Sequence, residues 1–172
     1  MELPLTNEQI VRFKVKTWNQ AADVAVNDID SFVGSKAPSP TIEIAAQKMR
    51  VIHTSIENTV NGTWTAGNIQ ELWTTMGGIA YGIYHFEFDG NVDSIVNTLV
   101  KKQHDYGPEN INKFGQYGLV VRTHDKIARL ENLISRQTAP ENEAIQDTFL
   151  DIVGYSAIGI MLVRGMFNYP LA

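Results

Sequence analysis

One carboxylate constrains this chain more than any other residue. Leu150, Ile152, Val153, Ala157, Ile158, Ile160, Met161, Leu162 and Val163 make a segment that is apolar almost all the way round, and Asp151 lies inside it. A helix of that character is a buried one, so the carboxylate is expected to be buried with it. An ionised carboxylate taken out of water costs several kcal/mol unless a cation, a metal or several donors compensate it. The chain must therefore bring a partner to Asp151. Arg122, Lys126 and Arg129 are spaced by four and three, which puts them in one stripe on the preceding helix. Glu143, Asp147, Asp151 and Tyr155 are each four apart and form the facing stripe.

Two readings of this pairing stay open at the level of periodicity. In one, Lys126 or Arg129 bridges to Asp147 or Asp151, and the pair fixes how two helices dock. In the other, the acids hold a divalent cation and the bases hold the phosphates of a ligand. Three cations on one helix face repel one another and call for anions. Beside them, Tyr106 is a candidate to stack on a base, with a buried, singly hydrogen-bonded tyrosine as the alternative. His104 and His124 are candidates for ligand contact or for ordinary surface histidines.

The remaining chain reads as helices joined by short loops. Thr6 to Gln9 has the form of a capping box, and Ile10, Phe13, Trp18, Ala22, Ala25, Ile29 and Phe32 follow at helical spacing, predicting one long first helix that ends before Gly34. Ala45, Met49, Ile52, Ile56 and Val60 predict a second helix closed by the Asn61-Gly62 turn, and Ile69, Leu72, Trp73, Met76, Ile79, Ala80 and Ile83 a third. His85, Glu87 and Asp89 read as a solvated helix end rather than a metal cluster. Val92, Ile95, Val96 and Leu99 predict a short fourth helix that delivers Lys101, Lys102 and His104 to a turn-rich loop over 105–112. A fifth helix is expected over 119–135, and a capping box at Thr138-Ala139-Pro140-Glu141 is expected to start a sixth that runs to about Phe167. Alternating β patterns and internal repeats are absent, so the architecture expected is a single all-α domain, a bundle of five or six helices.

Composition narrows the partners. The 172 residues are 44% hydrophobic and 19% charged, an ordinary globular balance. With a net charge of -5 and no Lys/Arg block, a nucleic-acid polymer is not an expected partner, whereas one anionic nucleotide needs only a local basic patch. There is no cysteine, hence neither disulfides nor thiolate chemistry. Arg164 interrupts the longest apolar run before the roughly 18 to 20 residues of a membrane span, and MELPLTNEQ is not a signal peptide. A cytoplasmic protein without a membrane partner is expected. The apolar residues near the C-terminus, together with Trp18, predict a homodimer or higher homo-oligomer.

The ordered set Asp105-Tyr106-Gly107, then Arg122, Asp125, Lys126, Arg129 and Leu130, then Glu143, Asp147, Thr148, Asp151 and Tyr155 resembles the phage and bacterial nucleotide modification associated domain family, type one. The resemblance covers about the last seventy residues, 101–168, and leaves 1–100 without a recognised family. It implies a role in nucleotide metabolism, in the host cytoplasm for a phage-encoded protein. A weaker likeness is to MazG-like all-α nucleoside triphosphate pyrophosphatases, which hold magnesium with an acidic pair on each of two helices. This chain departs from that pattern: Asp147 and Asp151 are four apart rather than three, and the earlier helix offers Asp125 and Glu131 among bases.

These readings combine into one expectation, a nucleotide-binding protein with a magnesium-dependent, pyrophosphohydrolase-like reaction as its extension. Asp125 and Asp151 are the candidate catalytic residues, Asp147, Asp151 and Glu143 the magnesium ligands. Arg122, Lys126, Arg129, Tyr106 and His104 are the candidate phosphate and nucleotide contacts. The competing expectations are a non-catalytic binder that sequesters a nucleotide, such as a signalling nucleotide of host defence, and a helical oligomer with a salt-bridged core. No nucleophile elbow, P-loop or dinucleotide fingerprint offers another chemistry.

Overall fold

The computed structural model describes residues 14–34 and 39–172, and these form an all-α bundle. Six helices follow one another: α1 Trp18–Gly34, α2 Ile42–Asn61, α3 Ala66–Phe88, α4 Val92–Tyr106, α5 Glu109–Arg136 and α6 Ile145–Val163. The central helix is α6. It packs against α3 along most of its length and also meets α1, α4 and α5, while α2 lies against α3 and α5. Phe149, Ile152, Val153, Ala157, Ile160 and Met161 of α6 are fully buried. By length and composition α6 could cross a membrane, which a count of unbroken apolar residues misses, but in this fold it is the core of the bundle.

Glycine and one aromatic ring set the α3–α6 distance. A Cβ on Gly159 would come within 2.6 Å of the Trp73 indole, so only glycine lets the two helices close at this level. Trp73 is itself fully buried, and its Nε1 donates to Gln116 Oε1 at 2.6 Å. Gln116 Nε2 in turn donates to the Gly159 carbonyl at 3.0 Å. A single side chain from α5 thereby ties α3 to α6 in the interior.

Several boundaries differ from the periodicity. The helical run expected through Phe13 and Trp18 is interrupted: 15–17 are non-helical, and α1 starts at Trp18. The cause is local, because Thr17 and Gln20 form their own capping box. Gln20 N–H donates to Thr17 Oγ1 at 3.2 Å and Thr17 N–H to Gln20 Oε1 at 3.2 Å. The Thr6 to Gln9 box lies outside the described residues. The fourth helix is longer than expected, since it runs through Asp105 and Tyr106 and is capped by Gly107 at φ 66°. The loop expected over 105–112 shrinks accordingly to Gly107-Pro108, and α5 begins at Glu109 with a kink at Gly115 (φ 56°, ψ -138°). The capping box expected at Thr138 is unused, for α6 begins only at Ile145 after Ala144 and ends at Val163.

Part of the apolar surface expected to call for a second subunit is covered within the chain, while Ile158, Leu162 and Val163 stay half-buried. Trp18, Ile160, Met161, Met166 and Phe167 are all buried, with Trp18 edge-on to Phe167 at 6.2 Å. Large apolar side chains remain exposed on α5 instead, at Phe114, Tyr117 and Val121.

Candidate functional site

The charged seam between α5 and α6 centres on Asp151, as its sequence context requires. Asp151 is 11% exposed, and each of its oxygens has a lysine: Oδ1 is 3.0 Å from Lys102 Nζ and Oδ2 is 2.8 Å from Lys126 Nζ. Lys126 also lies 3.5 Å from Glu143 Oε2. Burial pushes the Lys126 pKa down, but the hydrogen bond and charge of Asp151, reinforced by Glu143, outweigh it and leave the pKa raised. The lysine is therefore a permanent cation at neutral pH. Lys102 differs in exposure, with half of its side chain open to solvent against 21% for Lys126. It can leave Asp151 for another anion while Lys126 stays.

Beside this seam is a cavity of about 250 Å³. Its walls come from α4 (Ile95, Thr98, Leu99, Lys102, Gln103, Tyr106), from Asn110, Ile111 and Arg122 of α5, and from Leu150, Asp151, Gly154, Tyr155 and Ile158 of α6. Gly107 and Trp18 complete them. Arg122, half-buried in that wall, makes no ion pair or hydrogen bond in the described structure. A guanidinium without an ion pair, in a wall that mixes apolar side chains with Thr98, Gln103, Asn110 and Tyr155, is free to meet an acidic ligand. Tyr106, at 72% exposure, presents an aromatic face at the rim.

The sequence-derived candidates separate into those this cavity gathers and those it does not. Arg122, Tyr106 and Asp151 line it, and Lys126 reaches it through Asp151. Arg129 is committed elsewhere: it donates to Thr148 Oγ1 and to the Glu143 carbonyl, which makes it a clamp on the start of α6. Asp125 is exposed and is not part of the wall. His104 is exposed too, paired with Asp105 at 3.0 Å. Asp147, in the first turn of α6, joins neither lysine. Glu143 lies before α6 rather than on it, so the four-residue stripe from Glu143 to Tyr155 is broken at its first member. Among the described residues, Asp147, Asp151 and Glu143 do not form a group that could hold a metal ion. Both Asp151 oxygens face ammonium groups, so a cation bound there would have to displace them.

Periodicity overlooked Lys102. It was expected in a loop approach, and only the continuation of α4 through Tyr106 brings its ammonium to Asp151. Gln116 was overlooked as well, because its role depends on the Gly115 kink. His124 has a partner away from the cavity. Two residues on from Arg122, it projects about 200° round the helix, where Arg50 donates to its Nδ1 at 2.9 Å. Arg50 also clamps Glu131 at 2.5 Å and holds its carboxyl below the ordinary range through that hydrogen bond.

Next to this group, His53 is buried and its Nε2 donates to the Val120 carbonyl at 2.8 Å. Burial lowers the His53 pKa, and the Arg50 and His124 charges add to the effect, opposed by the hydrogen bond to Val120 and by Glu57. In the unfolded chain the imidazole takes up its proton near 6.5, before the folded one does. The neutral ring's contribution to stability is thus complete above 6.5 and is lost as pH falls through the lower folded value. Melting curves of His53→Gln should show a flatter decline than the parent below pH 6.5; parallel declines would remove His53 as the titrating group.

No family model, no curated protein and no solved structure matches this chain.

Proposed function

We propose that this protein binds a single nucleotide in the cavity between α4, α5 and α6 and holds it without hydrolysis. The observation that carries the reading is Arg122, a guanidinium without an ion pair, in the wall of a cavity of mixed polar and apolar lining that also contains Lys102. Arg122 and the half-exposed Lys102 take the phosphate, and Tyr106 at the rim offers a stacking face for the base. The resemblance of the 101–168 region to nucleotide modification associated domains points to the same ligand class. Sequestration fits better than turnover because Asp151, the carboxylate a hydrolytic metal would need, has a lysine on each oxygen. Asp125 and Asp147 do not join it. Magnesium is accordingly no part of this reading.

Thermal-shift screening of nucleoside mono-, di- and triphosphates, with magnesium and with a chelator, tests it. Stabilisation by at least one nucleotide in the chelator, with the nucleotide recovered intact, is expected. Complete loss of every response in the chelator would restore the metal-dependent reading.

A second reading has its own support. Arg129 on Thr148 and the Glu143 carbonyl, with Lys126 on Asp151, ties α5 to α6 whether or not a ligand is present. On that reading the charged seam is purely architectural, and Arg122→Gln would change nothing. A homo-oligomer remains part of the proposal, through Phe114, Tyr117 and Val121 on α5. Sedimentation should give a dimer at micromolar concentration that Tyr117→Glu dissociates; a monomeric parent protein would remove it.

A further inference from the structure

The charge inventory of the cavity limits what kind of nucleotide it can take. Of the charged side chains in its walls, Lys102 and Arg122 are the cations and Asp151 is the anion. One layer out, Lys126 is matched by Glu143 at 3.5 Å. Taken together, the three cations Lys102, Arg122 and Lys126 exceed the two anions Asp151 and Glu143 by one unit of charge. A ligand with one negative charge restores neutrality. A second or third negative charge would exceed that surplus and leave the filled cluster with net negative charge beside Asp151, which like-charge repulsion disfavours.

We infer, resting on the nucleotide reading above, that the ligand is a monoanionic phosphodiester of a single nucleoside: a cyclic mononucleotide rather than a 5′-mono- or triphosphate. The cavity volume of about 250 Å³ lies near the lower end of small-molecule pockets, the size class of a small, compact ligand. A cyclic diester carries one charge on two free oxygens, which suits the planar fork of Arg122. Lys102 completes the contact by turning from Asp151, which Lys126 retains.

The test is calorimetric titration, in chelator and at fixed ionic strength, with the 3′,5′-cyclic monophosphates of adenosine, guanosine, cytidine and uridine and with the 5′-mono- and triphosphates of the same four. For the base that binds best, the cyclic form is expected to be tighter than either 5′-phosphate by about tenfold or more. A 5′-phosphate that binds as tightly as its cyclic partner overturns the charge inference and leaves the nucleotide site standing. Binding by none of the twelve compounds overturns both. Arg122→Gln has no ion pair to lose, so it should keep the parent's melting temperature while weakening the cyclic nucleotide about tenfold or more. Unchanged affinity in that variant counts against the inference. Asp151→Asn, checked for folding by circular dichroism, raises the site to two positive charges and should move the preference toward the 5′-monophosphate; an unmoved preference also overturns it.

Discussion

Trp73→Ala should lower the free energy of unfolding by about 3 to 5 kcal/mol in urea titrations, the largest effect expected of any single substitution in this chain. The indole is fully buried where α3 meets α6, and its removal opens a cavity that the seam cannot close. It also leaves Gln116 Oε1 without its donor inside the protein. The stronger test is the pairing with Gly159. In the parent protein Gly159→Ala presses its new Cβ to within 2.6 Å of the indole and should cost about 1 to 3 kcal/mol. In the Trp73→Ala background the same methyl enters vacated space and should cost little or even stabilise. A double-mutant cycle would therefore give a coupling of more than about 1 kcal/mol. Additive effects would mean that α3 and α6 are not spaced by this contact.

The sequence carried the fold class because the signal for it is repeated in every segment. Apolar residues recur at helical spacing from Trp18 to Val163, and the structure places helices on all of these runs. Boundaries were less legible, for reasons that individual residues make plain. Capping motifs compete: Thr17-x-x-Gln20 is as good a start as Thr6-x-x-Gln9, and periodicity continues straight across both. Conversely, Thr138 begins a capping-box pattern that the chain leaves unused. Two glycines at positive φ play different parts. Gly107 ends a helix, while Gly115, also at positive φ, merely kinks one that continues.

At the candidate site, the sequence identified Asp151 because a carboxylate in an apolar helix violates its surroundings, and that violation can be read without coordinates. It could not divide the basic stripe. Arg122, Lys126 and Arg129 look equivalent at spacings of four and three. What separates them is what faces each: the open cavity for Arg122, two carboxylates for Lys126, and a hydroxyl with a backbone carbonyl for Arg129. Those partners depend on where α6 begins, and α6 begins later than its capping signal suggests. Lys102 is a long-range contact, 49 positions from Asp151, which no local pattern encodes.

Asp151→Asn should destabilise the protein by about 2 to 3 kcal/mol, less than the roughly 3 to 5 kcal/mol typical when one partner of a fully buried ion pair is removed. The reduction has two sources in the geometry. Lys102 is half exposed and can return its ammonium to water, and Lys126 keeps Glu143 at 3.5 Å. What is lost is the shorter of the two Lys126 contacts, 2.8 Å, at a position only 11% exposed on the acid side. Asp151→Leu combined with Lys126→Met replaces the pair by apolar groups and should recover most of the loss, because the desolvation of both charges disappears with them. Magnesium separates this ion-pair account from a metal site. With the lysines in place, millimolar magnesium should leave the melting temperature of both the parent and Asp151→Asn unchanged. A rise in the parent that Asp151→Asn abolishes would mean that the carboxylate exchanges its lysines for a cation, and the hydrolytic reading with Asp147 and Glu143 as further ligands would then take precedence.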